Sequence, residues 1–171
     1  MPTPSLSAEE MVERGHTVWA EVDLAAIRHN ISVLGGLASG AEVMGVVKGY
    51  AYGHGNPASA LAMVRGGATR LGVARVAEAL HLRDAGVEVP IHVFSEGPAH
   101  AAPAIVEHAL IPTVYTESFA RALSEAAVEA GTQVPVHIKL DTGMHRAGLM
   151  AEDVGDAVAR LREMPGISIE G

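Results

Sequence analysis

The sequence predicts an α/β fold built on a parallel sheet, a TIM-type (β/α)8 barrel with about six of its eight strands present. Three observations carry this prediction. Apolar runs of strand length alternate with segments of helical periodicity, at a spacing of roughly 20 to 30 residues that matches one β–α unit. The runs are near-continuously apolar, as strands are when helices cover one face and a packed interior the other. No Asn-Gly or Asp-Gly hairpin signal occurs.

Residues 1–16 are polar and read as a lead-in, and 17–171 as the partial barrel. Thr17 to Val22 reads as a short strand. Asp23 is a good N-cap for a helix in which Leu24, Ile27, Ile31 and Leu34 recur at helical spacing, and Gly35-Gly36 is expected to end it. Glu42 to Val47 is an apolar strand, and Ala58 to Arg65 a helix closed by Gly66-Gly67. Arg70 to Ala74 is the next strand, followed by a helix from Val76 to Ala85 that Gly86 stops. Pro90 to Phe94 is a strand and Ala99 to His108 a loose helix. Ile111 to Tyr115 is a strand whose successor helix is capped by Thr116, presents Phe119, Leu123, Ala126 and Ala127 on one face and ends at Gly131. Val134 to Leu140 is a strand, Asp153 to Glu163 a helix with an inward stripe of Val154, Ala157, Val158 and Leu161, and Ile167 to Glu170 a last strand.

An open doubly wound sheet is the competing architecture. It should carry a Gly-rich phosphate loop after its first strand and an acidic residue ending its second. Gly53-His54-Gly55 lacks the third glycine and no such acidic residue is present. A whole barrel takes about 250 residues, so 171 residues suggest a barrel cut short.

Composition narrows the function. Hydrophobic residues make up 49% and charged residues 19%, enough for a core, and aromatics only 4%, so that core must come from Val, Ala, Leu and Ile. A net charge of −8 without a basic cluster argues against nucleic acid and against anionic membrane surfaces. With no cysteine there is no disulfide, thiolate nucleophile or Cys-based zinc site. No run has the length of a signal peptide core or a bilayer span, so a soluble cytoplasmic protein is expected.

Two stretches could carry chemistry. In VVKGYAYGHG, Val46 to Gly55, an apolar strand ends in Lys48. Strand C-termini in parallel folds are where ligands and catalytic groups collect. An amine partly desolvated there loses its proton more easily, as Schiff-base chemistry requires; the plain alternative is a lysine reaching past the strand into water. Tyr50 and Tyr52, two of the three tyrosines, stand within four residues of it. A tyrosine hydroxyl can donate to a phosphate, or the ring can simply pack beneath the loop. In HIKLDTGMHRAG, His137 to Gly148, Lys139 and Asp141 share one side of a strand. Lys139 needs a partner or a modification that removes its positive charge. Arg146 suits a carboxylate or phenolate oxygen, and Asp141 could instead pair with Lys139 or Arg146. The histidines lack HExxH spacing, which argues against a metal site, and His92 and His137 read as hydrogen-bonded core or loop residues.

Taken together, VVKGYAYGHG resembles the pyridoxal-phosphate lysine motif of alanine racemases. HIKLDTGMHRAG resembles that family's second block, and AEVDLAAIRHNI its N-terminal entry into the barrel. The resemblance implies that Lys48 carries pyridoxal 5′-phosphate as an aldimine and is one of two catalytic bases. It implies that Tyr52 holds the cofactor phosphate, that Arg146 faces the phenolic oxygen and the substrate carboxylate, and that Lys139 is a site of carbamylation. Gly49-Tyr50 replaces the usual Ala-Asn, and His145 a usual glycine. Family members continue further, with a C-terminal β-domain, absent here, that supplies a tyrosine base to the neighbouring subunit of a homodimer and is joined by the Thr17–Val22 strand. The resemblance thus implies the N-terminal part of an alanine racemase supplying D-alanine for peptidoglycan, inactive alone. A non-catalytic cofactor-binding module, a racemase for another amino acid such as serine, and a non-functional remnant are the alternatives.

Overall fold

The structure is a computed structural model that describes residues 6–171. A helix, α1 (Ala8–Glu13), opens it with a capping box in which Ser7 and Glu10 satisfy each other's backbone N–H, and none of its residues is buried. Helix α2 (Leu24–Leu37) is capped by the Asp23 carboxylate, which accepts the N–H groups of Ala25 and Ala26. Between them, Thr17 to Val22 forms no strand. Strands need a partner for their N–H and C=O groups, and none lies beside this segment among the described residues. Val18 is 85% exposed.

The expected end of α2 is also displaced. The helix runs through Gly35-Gly36 and stops only where Ser39 and Gly40 turn left-handed. Glycine weakens a helix by about 1 kcal/mol without forbidding it, and the left-handed step is what breaks the hydrogen-bond ladder. Of its recurring apolar positions only Ile31 is buried.

From residue 44 the β–α alternation holds. Strands β1 (Met44–Val46), β2 (Arg70–Val73), β3 (Ile91–Val93), β4 (Leu110–Val114), β5 (Val134–Ile138) and β6 (Ile167–Ile169) lie in that order, each parallel to the next. A single left-handed turn, α3 (Lys48–Tyr52), and then α4 (Ala58–Arg65), α5 (Val76–Asp84), α6 (Ala102–Glu107), α7 (Glu117–Glu129) and α8 (Val154–Arg162) make the crossovers. Five of the six strands are one to three residues shorter than their apolar runs, because ladder bonds stop before the apolar composition does, and β4 keeps the expected length but starts one residue earlier.

The register sorts side chains by face, since paired residues in adjacent strands point the same way. Leu71 beside Ile91 and Val136 beside Ile169 face the helices, where Leu82, Ile105, Leu123 and Leu161 complete the buried core. The other face carries Met44, Arg70, His92, Thr113, His137 and Ser168.

That second face is curled. Arg70 on β2 meets Glu170, just past β6, at 2.7 Å. In a flat sheet strands four apart are separated by roughly 19 Å, beyond the reach of these two side chains. His92 of β3 and His137 of β5 touch edge to face with ring centroids 3.9 Å apart. The sheet is therefore rolled as in an incomplete TIM barrel, with the polar face inside. No helix among the described residues is long and apolar enough to cross a membrane.

Candidate active site

The C-terminal ends of β1, β3, β4 and β5 open into a cleft of about 550 Å³, within the size range of small-molecule sites. Lys48, Lys139 and Arg146 all line it, with His92, Thr113 and His137 deeper in and Met44 and Phe94 as apolar walls. Three of the four residues singled out from the sequence thus converge although 98 positions separate Lys48 from Arg146 in the chain. The fourth, Tyr52, does not line the cleft. It is exposed beside it, with the Lys48 Nζ 5.9 Å from its ring centroid.

Lys48 is placed by an unusual backbone. Gly49, Tyr50, Ala51 and Tyr52 all have φ between 54° and 60°. The result is one turn of left-handed helix, closed by Ala51 N–H to the Val47 carbonyl at 2.9 Å and by Gly53 N–H to the Gly49 carbonyl at 3.2 Å. Gly49 adopts this freely, but each of the three others costs about 1–2 kcal/mol. The turn is held from outside. The Asn56 side-chain amide donates to the Val47 carbonyl at 3.1 Å, and Gly49 N–H donates to the Glu78 carboxylate at 2.6 Å. Glu78 also accepts Ala74 N–H and Arg75 N–H. The ring of Tyr50, one of the unusual residues, stacks on His81 with centroids 6.2 Å apart.

Lys139 and Arg146 are set by the end of β5. The Lys139 N–H donates to the Val114 carbonyl at 3.0 Å, and the chain returns so that Leu149 N–H donates to the Lys139 carbonyl at 2.8 Å. Asp141 folds the intervening loop by accepting Gly143 N–H at 3.0 Å and His145 N–H at 2.9 Å. These donors, Gly143 first, hold its carboxyl below the usual range. Asp141 pairs with neither Lys139 nor Arg146, and neither cation has an ion-pair partner among the described residues.

The cleft floor corrects one expectation. His92 and His137 are not hydrogen-bonded as expected: the buried His92 Nδ1 and His137 Nε2 have no hydrogen-bond partner among the described residues. Burial, and then His137, push His92 down to about 4, and burial also lowers His137. His137 faces Glu170 at 3.8 Å, and Glu170 and Glu42 both pair with Arg70.

Sequence reasoning missed the two carboxylates that tie neighbouring strand-end loops together. Glu78 joins the loops after β1 and β2. Glu96 joins those after β3 and β4, accepting Tyr115 N–H and Thr116 N–H at 2.9 Å. A glutamate at the third helical position is the available signal for Glu78, but the signal says nothing of its partner 29 residues away.

The profile of the alanine racemase N-terminal domain matches residues 22–171. The chain belongs to that family. Among its alanine racemase relatives, that of Methanococcus maripaludis is 39% identical over 91% of this chain and 42% of its own length. That of Desulfosudis oleivorans is 40% identical, over 91% and 42%. The structure of alanine racemase from Clostridium difficile 630 in complex with cycloserine superposes with a TM-score of 0.84 at 32% identity, covering 91% of this chain and 44% of that one. Histidine racemase from Leuconostoc mesenteroides superposes at 0.78 with 30% identity, over 84% and 39%. The chain therefore spans about two fifths of the length of the alanine racemases it matches.

Proposed function

We propose that this chain forms the cofactor-binding barrel portion of an alanine racemase, an isomerase that interconverts L- and D-alanine. The observation that carries this reading is the convergence of Lys48, Lys139 and Arg146 on one strand-end cleft in a chain of this family. The donor set fits pyridoxal 5′-phosphate: three cationic side chains line the cleft and no carboxylate does. When bound, this cofactor supplies an electron sink that makes the Cα–H of an amino acid acidic.

Lys48 would hold the cofactor through Nζ and would move a proton on one face of the substrate. The Tyr52 hydroxyl would donate to its phosphate, and Arg146 to its phenolic oxygen and to the substrate carboxylate. Lys139, a cation with no ion-pair partner among the described residues and two other cations in the same cleft, is carbamylated: Nζ adds carbon dioxide, loses a proton and becomes an anion that orients Arg146. Racemisation needs a second proton-transfer group on the opposite face. No tyrosine or carboxylate lines the cleft to serve, so the opposing tyrosine is proposed to come from a partner subunit in a cytoplasmic homodimer. Residues 1–171 alone are then inactive. The product would serve peptidoglycan synthesis.

Adding the cofactor to the purified chain should produce an absorbance band near the visible edge, absent in Lys48→Ala. No band in the wild type would remove the reading. A racemase for another amino acid is the second reading, favoured by the match to histidine racemase. Parallel assays of the whole protein on L-alanine, L-serine and L-histidine decide between them.

A further inference from the structure

We propose that Glu78 is a positioning residue for Lys48, a staple that keeps the left-handed turn from relaxing and the lysine aimed into the cleft; this rests on the reading of Lys48 above. Lys48 is flanked by two fixed peptide groups. On its N-terminal side, Val47 N–H donates to the Gly72 carbonyl at 2.8 Å, and the Val47 carbonyl accepts Asn56 Nδ2. On its C-terminal side, the Lys48–Gly49 peptide is held by Gly49 N–H donating to Glu78 at 2.6 Å. No other side chain bonds that N–H among the described residues. The same carboxylate accepts Ala74 N–H at 2.8 Å and Arg75 N–H at 3.0 Å, so it is anchored in the loop after β2 and at the start of α5.

A carboxylate accepting three backbone N–H groups is a charge-assisted arrangement, stronger than its neutral counterpart. What it opposes is specific. Tyr50, Ala51 and Tyr52 sit left-handed at a cost, and Gly49 is the joint at which the chain enters that region without strain. With the staple gone, rotation about Gly49 would let those three residues return to a favoured basin. The Lys48–Gly49 peptide would turn with them and carry the lysine side chain away from Arg146 and Lys139. Glutamine at 78 is the informative change. It still suits the third position of a capped helix, yet its one carbonyl oxygen cannot serve both α5 and Gly49.

The test uses the whole chain and two readouts. Borohydride trapping of added pyridoxal phosphate, read as the mass of the Lys48 peptide, reports how well the lysine is presented. Amide hydrogen exchange at Gly49 reports the staple without any cofactor. Glu78→Gln should speed Gly49 exchange and slow trapping, each by about tenfold or more, with an unchanged melting temperature. Glu96→Gln cuts the equivalent tie between the loops after β3 and β4 and should change neither. Wild-type trapping in Glu78→Gln, unchanged Gly49 exchange, or equal effects of Glu96→Gln would overturn the proposal. If Glu78→Gln does not fold, the wild type decides: a Gly49 amide exchanging as fast as a free one overturns it, and a protected one upholds it. Failure to trap anything on wild-type Lys48 counts against the functional reading instead, and Gly49 exchange then decides the staple alone.

Discussion

The inner face of the rolled sheet treats charge in opposite ways in two regions. Around Arg70, at the start of β2, charge is paired: with Glu42 at 3.0 Å and, across the curl, with Glu170 just past β6 at 2.7 Å, and Glu170 also faces His137. Beyond the ends of β1 and β5, Lys48, Lys139 and Arg146 line one cleft with no carboxylate among them. Asp141, the nearest candidate in sequence, is spent on folding its own loop. Like charges left together in a partly buried cleft repel, whereas paired ones hold strands in place. The difference separates charges tied into the fold from cations left for the anionic cofactor proposed above.

The sharpest way to break this contrast is at Lys48. Lys48→Ala should abolish cofactor trapping and its absorbance band while leaving the melting temperature unchanged, because among the described residues the side chain has no ion-pair or hydrogen-bond partner and meets only the exposed Tyr52 ring at 5.9 Å. A large loss of stability would show that the cation is structural after all.

Next comes the histidine pair between the two regions. The folded protein lowers His92 from 6.5 to about 4 and lowers His137 as well. A base lowered by folding takes up its proton more readily in the unfolded chain. The stability tied to its neutral form is therefore full above pH 6.5 and drains away as pH falls toward 4, by up to about 3 kcal/mol for His92. Denaturant melts at pH 7 and pH 4.5 should show this loss, and His92→Leu should flatten it. An unaltered pH slope in the variant would rule out His92 as its source.

Arg70→Met tests the paired region. Its partners are partly exposed, so the loss should be about 1–2 kcal/mol, measured by denaturant midpoint, with trapping at Lys48 unaffected. The smallest effect should come from the outer surface. Glu117 pairs with Arg121 and Arg160, all well exposed, and Glu117→Gln should cost no more than about 0.5 kcal/mol in the same melt. Equal costs at Arg70 and Glu117 would erase the distinction between inner and outer charge.

Local pattern made the strands and most helices legible, since period and punctuation act within a few residues. Thr116 caps α7 and Asp23 caps α2 where their side chains predict. The same logic failed for Thr17–Val22, whose β-branched and aromatic residues suit a strand but find no neighbour to pair with among the described residues. It failed for the end of α2, because glycines only weaken a helix and the backbone reversal comes later. It also failed for the His92–His137 contact, which depends on how tightly the sheet curls.

For the site, the sequence alone determined that a lysine follows an apolar strand, that glycines surround it, and that a second lysine and an arginine share a later loop. These are properties of neighbouring residues. Only the tertiary structure decided that parallel register and curl would bring Lys48, Lys139 and Arg146 to one cleft, leave Tyr52 beside it, and send the Glu78 carboxylate to Gly49. The partners in those contacts are far apart along the chain, and no local propensity encodes a meeting that exists only once the strands have paired.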